Sequence, residues 1–250
     1  MRSTLLTLLF SALILVSCDK DEEVITSNGG QNNTQSTSSN KIMPFGASRV
    51  EGARPDYESY RYELWKQLID GGWEFDFIGN ELDDASYPNY NNLSFDGDHQ
   101  GIGGWTSGQL LDAVSTWITN TGSPDIVLFS SPGGNDALQG LPYDDVISNI
   151  NAIIDILQAD NPNVTIIIEQ MAPGNSQIMT GDLEAYFNQI QSDVLTIATN
   201  QSDENSMVIA VDMYSGFTDD YLADDVHYNV AGAQFIADRY YTVLTGVLAD

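Results

Sequence analysis

Ile42-Met43-Pro44-Phe45-Gly46-Ala47-Ser48 carries an apolar burst straight into a glycine, a small alanine and a hydroxyl. The apolar residues read as a short buried strand, Gly46 permits a tight turn, and Ala47 is too small to bury Ser48. An exposed serine at the carboxyl end of a strand is placed for attack. The same punctuation recurs downstream. Strands are expected at 42–45, 75–78, 126–130, 164–170 and 208–211, alternating with helices at 57–69, 107–118, 143–158, 183–198 and 230–247. A βαβ succession of short Val/Ile-rich strands predicts an α/β fold. Its form is a three-layer α/β/α sandwich around a central parallel sheet of about five strands, with ligands bound beyond the strands' carboxyl ends. No internal repeat is visible.

The 250 residues, 42% apolar, suffice for one domain with a substantial core. The formal charge of -28 and the pI near 4.1 repel a phosphate backbone. No basic stripe offsets that repulsion, so nucleic acid is not an expected partner.

At the N-terminus Arg2 precedes an apolar run from Leu5 to Val16, closed by Leu15-Val16-Ser17-Cys18. The run is shorter than the ~20 apolar residues a bilayer span needs, and it reads as a secretory signal with a lipobox-like cleavage site. Cys18 is the only cysteine, which rules out an intramolecular disulfide. Its position after the small Ser17 resembles that of bacterial lipoproteins, whose new N-terminal cysteine carries acyl chains. Asp19-Lys20-Asp21-Glu22-Glu23 resembles the acidic surface-export tag of Bacteroidetes lipoproteins, and is equally a solvated tether. Residues 24–40, rich in Ser, Thr, Asn, Gln and Gly, are expected to form a flexible linker. The expected organisation is a signal peptide at 1–17, acylated Cys18 and linker at 18–40, and one domain at 41–250, lipid-anchored in the cell envelope.

Three further blocks carry polar chemistry: His99-Gln100-Gly101-Ile102-Gly103-Gly104-Trp105, Gly133-Gly134-Asn135-Asp136, and Asp224-Asp225-Val226-His227. The serine hydroxyl is a poor nucleophile until a base takes its proton, which an imidazole can do. Asp224 and His227 stand just before the last helix, where both side chains can point back over the strand ends. Asp96-Gly97-Asp98-His99 is a second D-x-x-H; His99 reads as a loop residue that bonds locally or lines the cleft. Taken singly, each block has a plain alternative: Ser48 as a cap, the glycines and Gly-Asn-Asp as turns, His227 as a helix-start residue. Neither glycine cluster is followed by Lys-Ser/Thr, so no phosphate loop is indicated. Two isolated histidines and one cysteine make no His/Cys zinc site, so no metal or other cofactor is expected.

The order and residue types of the four blocks resemble the signature blocks of the SGNH (GDSL-type) ester hydrolases, over roughly residues 41 to 245. The resemblance implies the flavodoxin-like SGNH hydrolase fold, Ser48 as nucleophile, His227 as general base and Asp224 as its orienting carboxylate. It also implies an oxyanion hole from the Ser48 N–H, the Gly101 N–H and the Asn135 side-chain amide. Further stretches are similar to carbohydrate esterase family three: 42–46, Tyr60-Arg61-Tyr62-Glu63-Leu64-Trp65, Phe75-Asp76-Phe77-Ile78-Gly79, and Asp98-His99-Gln100-Gly101 with Gly104-Trp105. Tyr60, Arg61 and Trp65 have a structural account as well: a helix burying aromatic rings while Arg61 ties down the loop near Asp96 or Asp98. Ala47 in place of the family's aspartate, Ile102 in place of a polar residue and Tyr228 in place of a proline are departures that bear on substrate. The expectation is a serine ester hydrolase acting on an ester substrate, acylated polysaccharide first. A lipase, lysophospholipase or short-chain carboxylesterase, and a silent glycan-binding module, are the alternatives.

Overall fold

The computed structural model describes residues 35–249. Cys18, the expected signal peptide and the expected linker up to residue 34 lie outside the described residues. Along the chain run β1 (Lys41–Gly46), α1 (Ser48–Glu51), α2 (Arg61–Gly71), β2 (Asp76–Phe77), β3 (Glu81–Leu82), β4 (Asp98–Gly101) and α3 (Ser107–Thr121). They are followed by β5 (Ile126–Phe129), α4 (Gly134–Gln139), α5 (Tyr143–Asp160), β6 (Thr165–Gln170), α6 (Gly181–Gln201), β7 (Val208–Asp212) and α7 (Val230–Leu244).

The sheet order is β3-β4-β1-β5-β6-β7, with β2 also on β1. All pairings are parallel except β3 with β4. Side chains alternate across the sheet as the two-residue strand period requires. Met43, Phe45, Val127, Phe129, Ile166 and Ile168 face the layer of α3, α5 and α6, while Ile42, Ile126, Leu128 and Ile167 face α2 and α7. Each of these apolar side chains, removed from water, contributes about 1.5–3 kcal/mol. This is the expected three-layer sandwich, with a sheet wider than about five strands.

The extra strand that matters is β4. Asp98-His99-Gln100-Gly101 has no apolar pattern and reads as a loop in sequence, but β1 is longer than β2. Lys41 and Ile42 pair with β2, leaving Phe45 and Gly46 to pair with Gln100 and Gly101. The second helix starts at Arg61 rather than at residue 57, because Tyr57 and Glu58 are bonded elsewhere: Tyr57 with Ala53, and Glu58 N–H with Tyr228 O at 2.8 Å. Asn40, read as linker, is buried and ties the strand start to the chain end. Its side-chain amide donates to Glu74 O and Ala249 O and its Oδ1 accepts from Ala249 N–H. Among the described residues no helix is long and apolar enough to cross a membrane.

Candidate active site

The turn after β1 is dictated by close packing. Gly46 has φ +152°, and a Cβ there would lie 2.8 Å from Ser130 O. Ala47 O then accepts from Val50 N–H at 2.9 Å and Glu51 N–H at 3.0 Å, which closes the single turn of α1. Ser48 is the first residue of that turn, where backbone N–H groups have no intrahelical acceptor. Its Oγ lies 2.9 Å from His227 Nε2. The other ring nitrogen, Nδ1, is 2.7 Å from Asp224 Oδ2. The loop supplies this geometry through Asp224 itself, whose Oδ1 accepts from Val226 N–H at 2.8 Å and His227 N–H at 2.7 Å. Partial burial pushes the Asp224 carboxyl up, and the hydrogen bonds from the His227 ring and from both N–H groups outweigh it, so the pKa falls below the usual range. An ionised Asp224 fixes the proton on Nδ1 and leaves Nε2 as an acceptor for the Ser48 hydroxyl.

Asn135 sits at the start of α4 and is steered from two sides. Its side-chain amide donates to Trp105 O at 2.8 Å, which leaves its second N–H for another acceptor. The neighbouring Asp136 carboxylate is buried and caps α3, accepting from Ser107 N–H at 2.8 Å and Ser107 Oγ–H at 2.7 Å. Ser48 and Asn135 line one pocket with Arg49, Leu138, Met171, Phe187 and Val226, and its cavity volume is about 30 Å³. Ser48, Asn135, Asp224 and His227 are thus brought together.

Gly101 is not brought into that pocket. It packs beneath α1, where a Cβ would lie 2.6 Å from Val50 Cβ, and its N–H donates to His99 Nδ1 at 3.1 Å. The donor expected of Gly101 is therefore engaged within the strand, because His99 and Gly101 share one face of β4 two residues apart. His99 is a buried strand residue, and burial foremost, then the Arg61 charge, pushes its pKa down to about 2. A neutral imidazole with Nδ1 as acceptor follows. Among the described residues no cluster of His, Cys, Asp or Glu has the makings of a metal site.

Two buried arginines hold this site, and sequence reasoning missed one of them. Arg49 donates from Nε to Val226 O at 2.8 Å, from Nη1 to Ala172 O at 2.8 Å and Ser131 Oγ at 3.2 Å, and from Nη2 to Pro173 O at 3.0 Å. Its guanidinium also stands 4.8 Å from the Tyr228 ring centroid. One side chain thereby joins the residue after Ser48 to both residues flanking His227. Arg61, fully buried, donates to Val50 O, Glu51 O and Gly97 O, and pairs with Asp83 at 2.7 Å. The loop it ties down, at Gly97 between Asp96 and Asp98, is the expected one, and its ion-pair partner is Asp83. Position next to a nucleophile is the only sequence signal for Arg49; its partners are mostly carbonyls, which any residue supplies.

A model of the GDSL-like lipase/acylhydrolase family matches residues 45–235. The chain belongs to that family. It is a carboxylic ester hydrolase with the SGNH α/β fold. Among solved structures it is similar to a serine-to-alanine mutant of an acetyl esterase with an acetate ion: 28% identity, TM-score 0.72, 83% of this chain and 97% of that one. A carbohydrate esterase of family 3 from Talaromyces cellulolyticus gives the same identity, coverage and TM-score. A family 3 carbohydrate esterase from Clostridium thermocellum is 26% identical with TM-score 0.67, over 84% of this chain and 98% of that one. No curated protein matches the chain.

Proposed function

We propose that this chain removes acetyl or other short acyl groups from polysaccharide, through an acyl-Ser48 intermediate, while anchored in the cell envelope by lipid on Cys18. The observation that carries the chemistry is the 2.9 Å approach of His227 Nε2 to Ser48 Oγ, backed by Asp224 on Nδ1. Ser48 Oγ attacks the acyl carbonyl carbon as His227 takes its proton; the bond to the sugar oxygen breaks, and that oxygen leaves with the proton from His227. Water then attacks the acyl-enzyme, giving a proton to His227, and the carboxylic acid departs as Ser48 regains its hydrogen. The Ser48 N–H and the second Asn135 amide N–H donate to the oxyanion in both steps. The Gly101 N–H, bonded to His99 Nδ1 outside the pocket, is not among these donors.

The small acyl group is supported by the pocket. Its volume of about 30 Å³ exceeds the ~10–15 Å³ that a single water needs, which suits two carbons and an oxygen. Met171 and Phe187, both buried, supply apolar lining. Polysaccharide as the alcohol is supported by the family 3 carbohydrate esterases among the similar structures. The test is acetate release from acetylated xylan beside a series of C2 to C12 acyl esters. The proposal expects release from xylan and a steep fall beyond four carbons, whereas preference for long acyl chains would overturn it. For the anchor, Cys18→Ala should move the protein from the washed membrane fraction to the soluble one; retention of the variant in membranes would overturn that part.

A further inference from the structure

The segment before α2 lies against the His227 loop. Tyr57 N–H donates to Ala53 O and Ala53 N–H to Tyr57 O, both at 3.2 Å, and the next residue, Glu58, bonds Tyr228 O. This double fastening sets the Tyr57 ring flat on the His227 imidazole. The ring centroids are 3.9 Å apart and the planes differ by 13°. His227 is thus held in its own plane by Asp224 and Ser48, and from one face by Tyr57.

We infer that Tyr57 is a positioning residue for His227: its stacked ring keeps Nε2 aimed at Ser48 and favours the imidazolium formed in each half of the reaction. Two physical effects support this. A face-to-face neighbour blocks rotation of the imidazole about its Cβ–Cγ bond, which would carry Nε2 away from Oγ. The negative face of an aromatic ring also attracts a cation lying over it, and His227 becomes cationic only after taking the serine proton. The stack therefore stabilises the transition state more than the resting enzyme, the kind of interaction that raises kcat rather than lowering KM. The phenol hydroxyl has no part in it.

The inference rests on the reading of Ser48 and His227 as nucleophile and base. Its test compares Tyr57→Leu, Tyr57→Phe and Ser48→Ala in kcat and KM on a short acyl ester, with proton NMR of the two imidazoles. Tyr57→Leu should lose about 10-fold in kcat with KM within about twofold, and Tyr57→Phe should stay within about twofold of wild type. In the wild type the His227 ring protons should be shifted upfield by the Tyr57 ring current, and should return downfield in Tyr57→Leu while those of His99 stay in place. If Tyr57→Leu fails to fold, the wild-type shift and the Tyr57→Phe kinetics still decide. The inference is overturned by an unshifted His227 in the wild type, by full kcat in Tyr57→Leu, by a Tyr57→Phe as impaired as Tyr57→Leu, or by a loss confined to KM. Full activity in Tyr57→Leu beside an inactive Ser48→Ala would sink this inference alone; activity in Ser48→Ala would sink the reading beneath it.

Discussion

Arg49→Ala removes the side chain that ties the nucleophile's turn to the base's loop. Four hydrogen bonds go, to Val226 O, Ala172 O, Pro173 O and Ser131 Oγ. A hydrogen bond to a charged group contributes roughly 1.5–3 kcal/mol, and a buried acceptor left unpaired costs about 1–3 kcal/mol. The terms overlap, because some of the freed carbonyls reach water once the side chain is gone. The net loss should be about 3–5 kcal/mol, or roughly 10 °C in Tm at about 2–4 °C per kcal/mol for a domain of this size. Catalysis should suffer separately. Val226 and the Tyr228 ring, both held by Arg49, flank His227, and a displacement of about 1 Å at a reacting atom costs on the order of 10²-fold in turnover. Arg49→Lys should recover only part of both, since a point ammonium cannot span the acceptors of a planar fork. Thermal unfolding followed by circular dichroism gives the first quantity, and kcat with and without added guanidinium ion gives the second. Guanidinium should restore part of the Arg49→Ala turnover. An Arg49→Ala protein that melts within about 2 °C of wild type and keeps its kcat would show that Arg49 holds neither the fold nor the site.

Other outcomes follow from the same geometry. Ser48→Ala and His227→Ala should each abolish nearly all turnover and the double variant should be little worse, with Asp224→Asn between them and wild type; multiplying losses in the double variant would show independent action. Asn135→Ala should lower kcat by about 10²–10³, whereas His99→Ala should be far milder; the reverse order, read from steady-state kinetics, would contradict the site. Burial pushes Asp96 up to about 7, so its contribution to stability is full below the unfolded value near 3.9 and fades as pH rises to 7. His99, lowered to about 2, contributes above about pH 6.5 and loses that contribution as pH falls. Between about pH 4 and 6.5 the two slopes oppose at about 1.4 kcal/mol per pH unit each. Tm measured against pH should therefore fall more steeply toward acid in Asp96→Asn than in wild type, and fall from pH 4 to 7 in His99→Gln; unchanged slopes would refute the assignment.

What could be read from the sequence was whatever announced itself through apolar periodicity. β5 and β6, as Ile126-Val127-Leu128-Phe129 and the Ile-rich run after Thr165, are buried on both faces and carry their own signal. β4 carries none, since its order comes from the end of β1 that β2 leaves unpaired, a tertiary effect. α2 starts later than its residues suggest for a similar reason: Tyr57 and Glu58 suit a helix locally, but Ala53 and Tyr228 claim their backbone. At the site, Ser48 and His227 are 179 residues apart and meet because the loop after β1 and the loop before α7 converge at the carboxyl ends of the strands. Residue types sufficed to nominate them. Nothing in residue type reveals that the Gly101 N–H is taken by His99, that Arg49 spans four acceptors, or that Tyr57 lies on the imidazole. Those depend on register and on carbonyls, which every residue possesses.

The reaction requires that Ser48 become covalently acylated. Incubating the protein with a serine-directed organophosphate, then weighing the intact chain and its peptides by mass spectrometry, tests it most directly. One equivalent of adduct should appear on Ser48, in step with the loss of esterase activity, and His227→Ala should slow its formation by orders of magnitude. Activity lost without an adduct, an adduct on another residue, or an unmodified Ser48 in an inactivated protein would rule out Ser48 as the nucleophile.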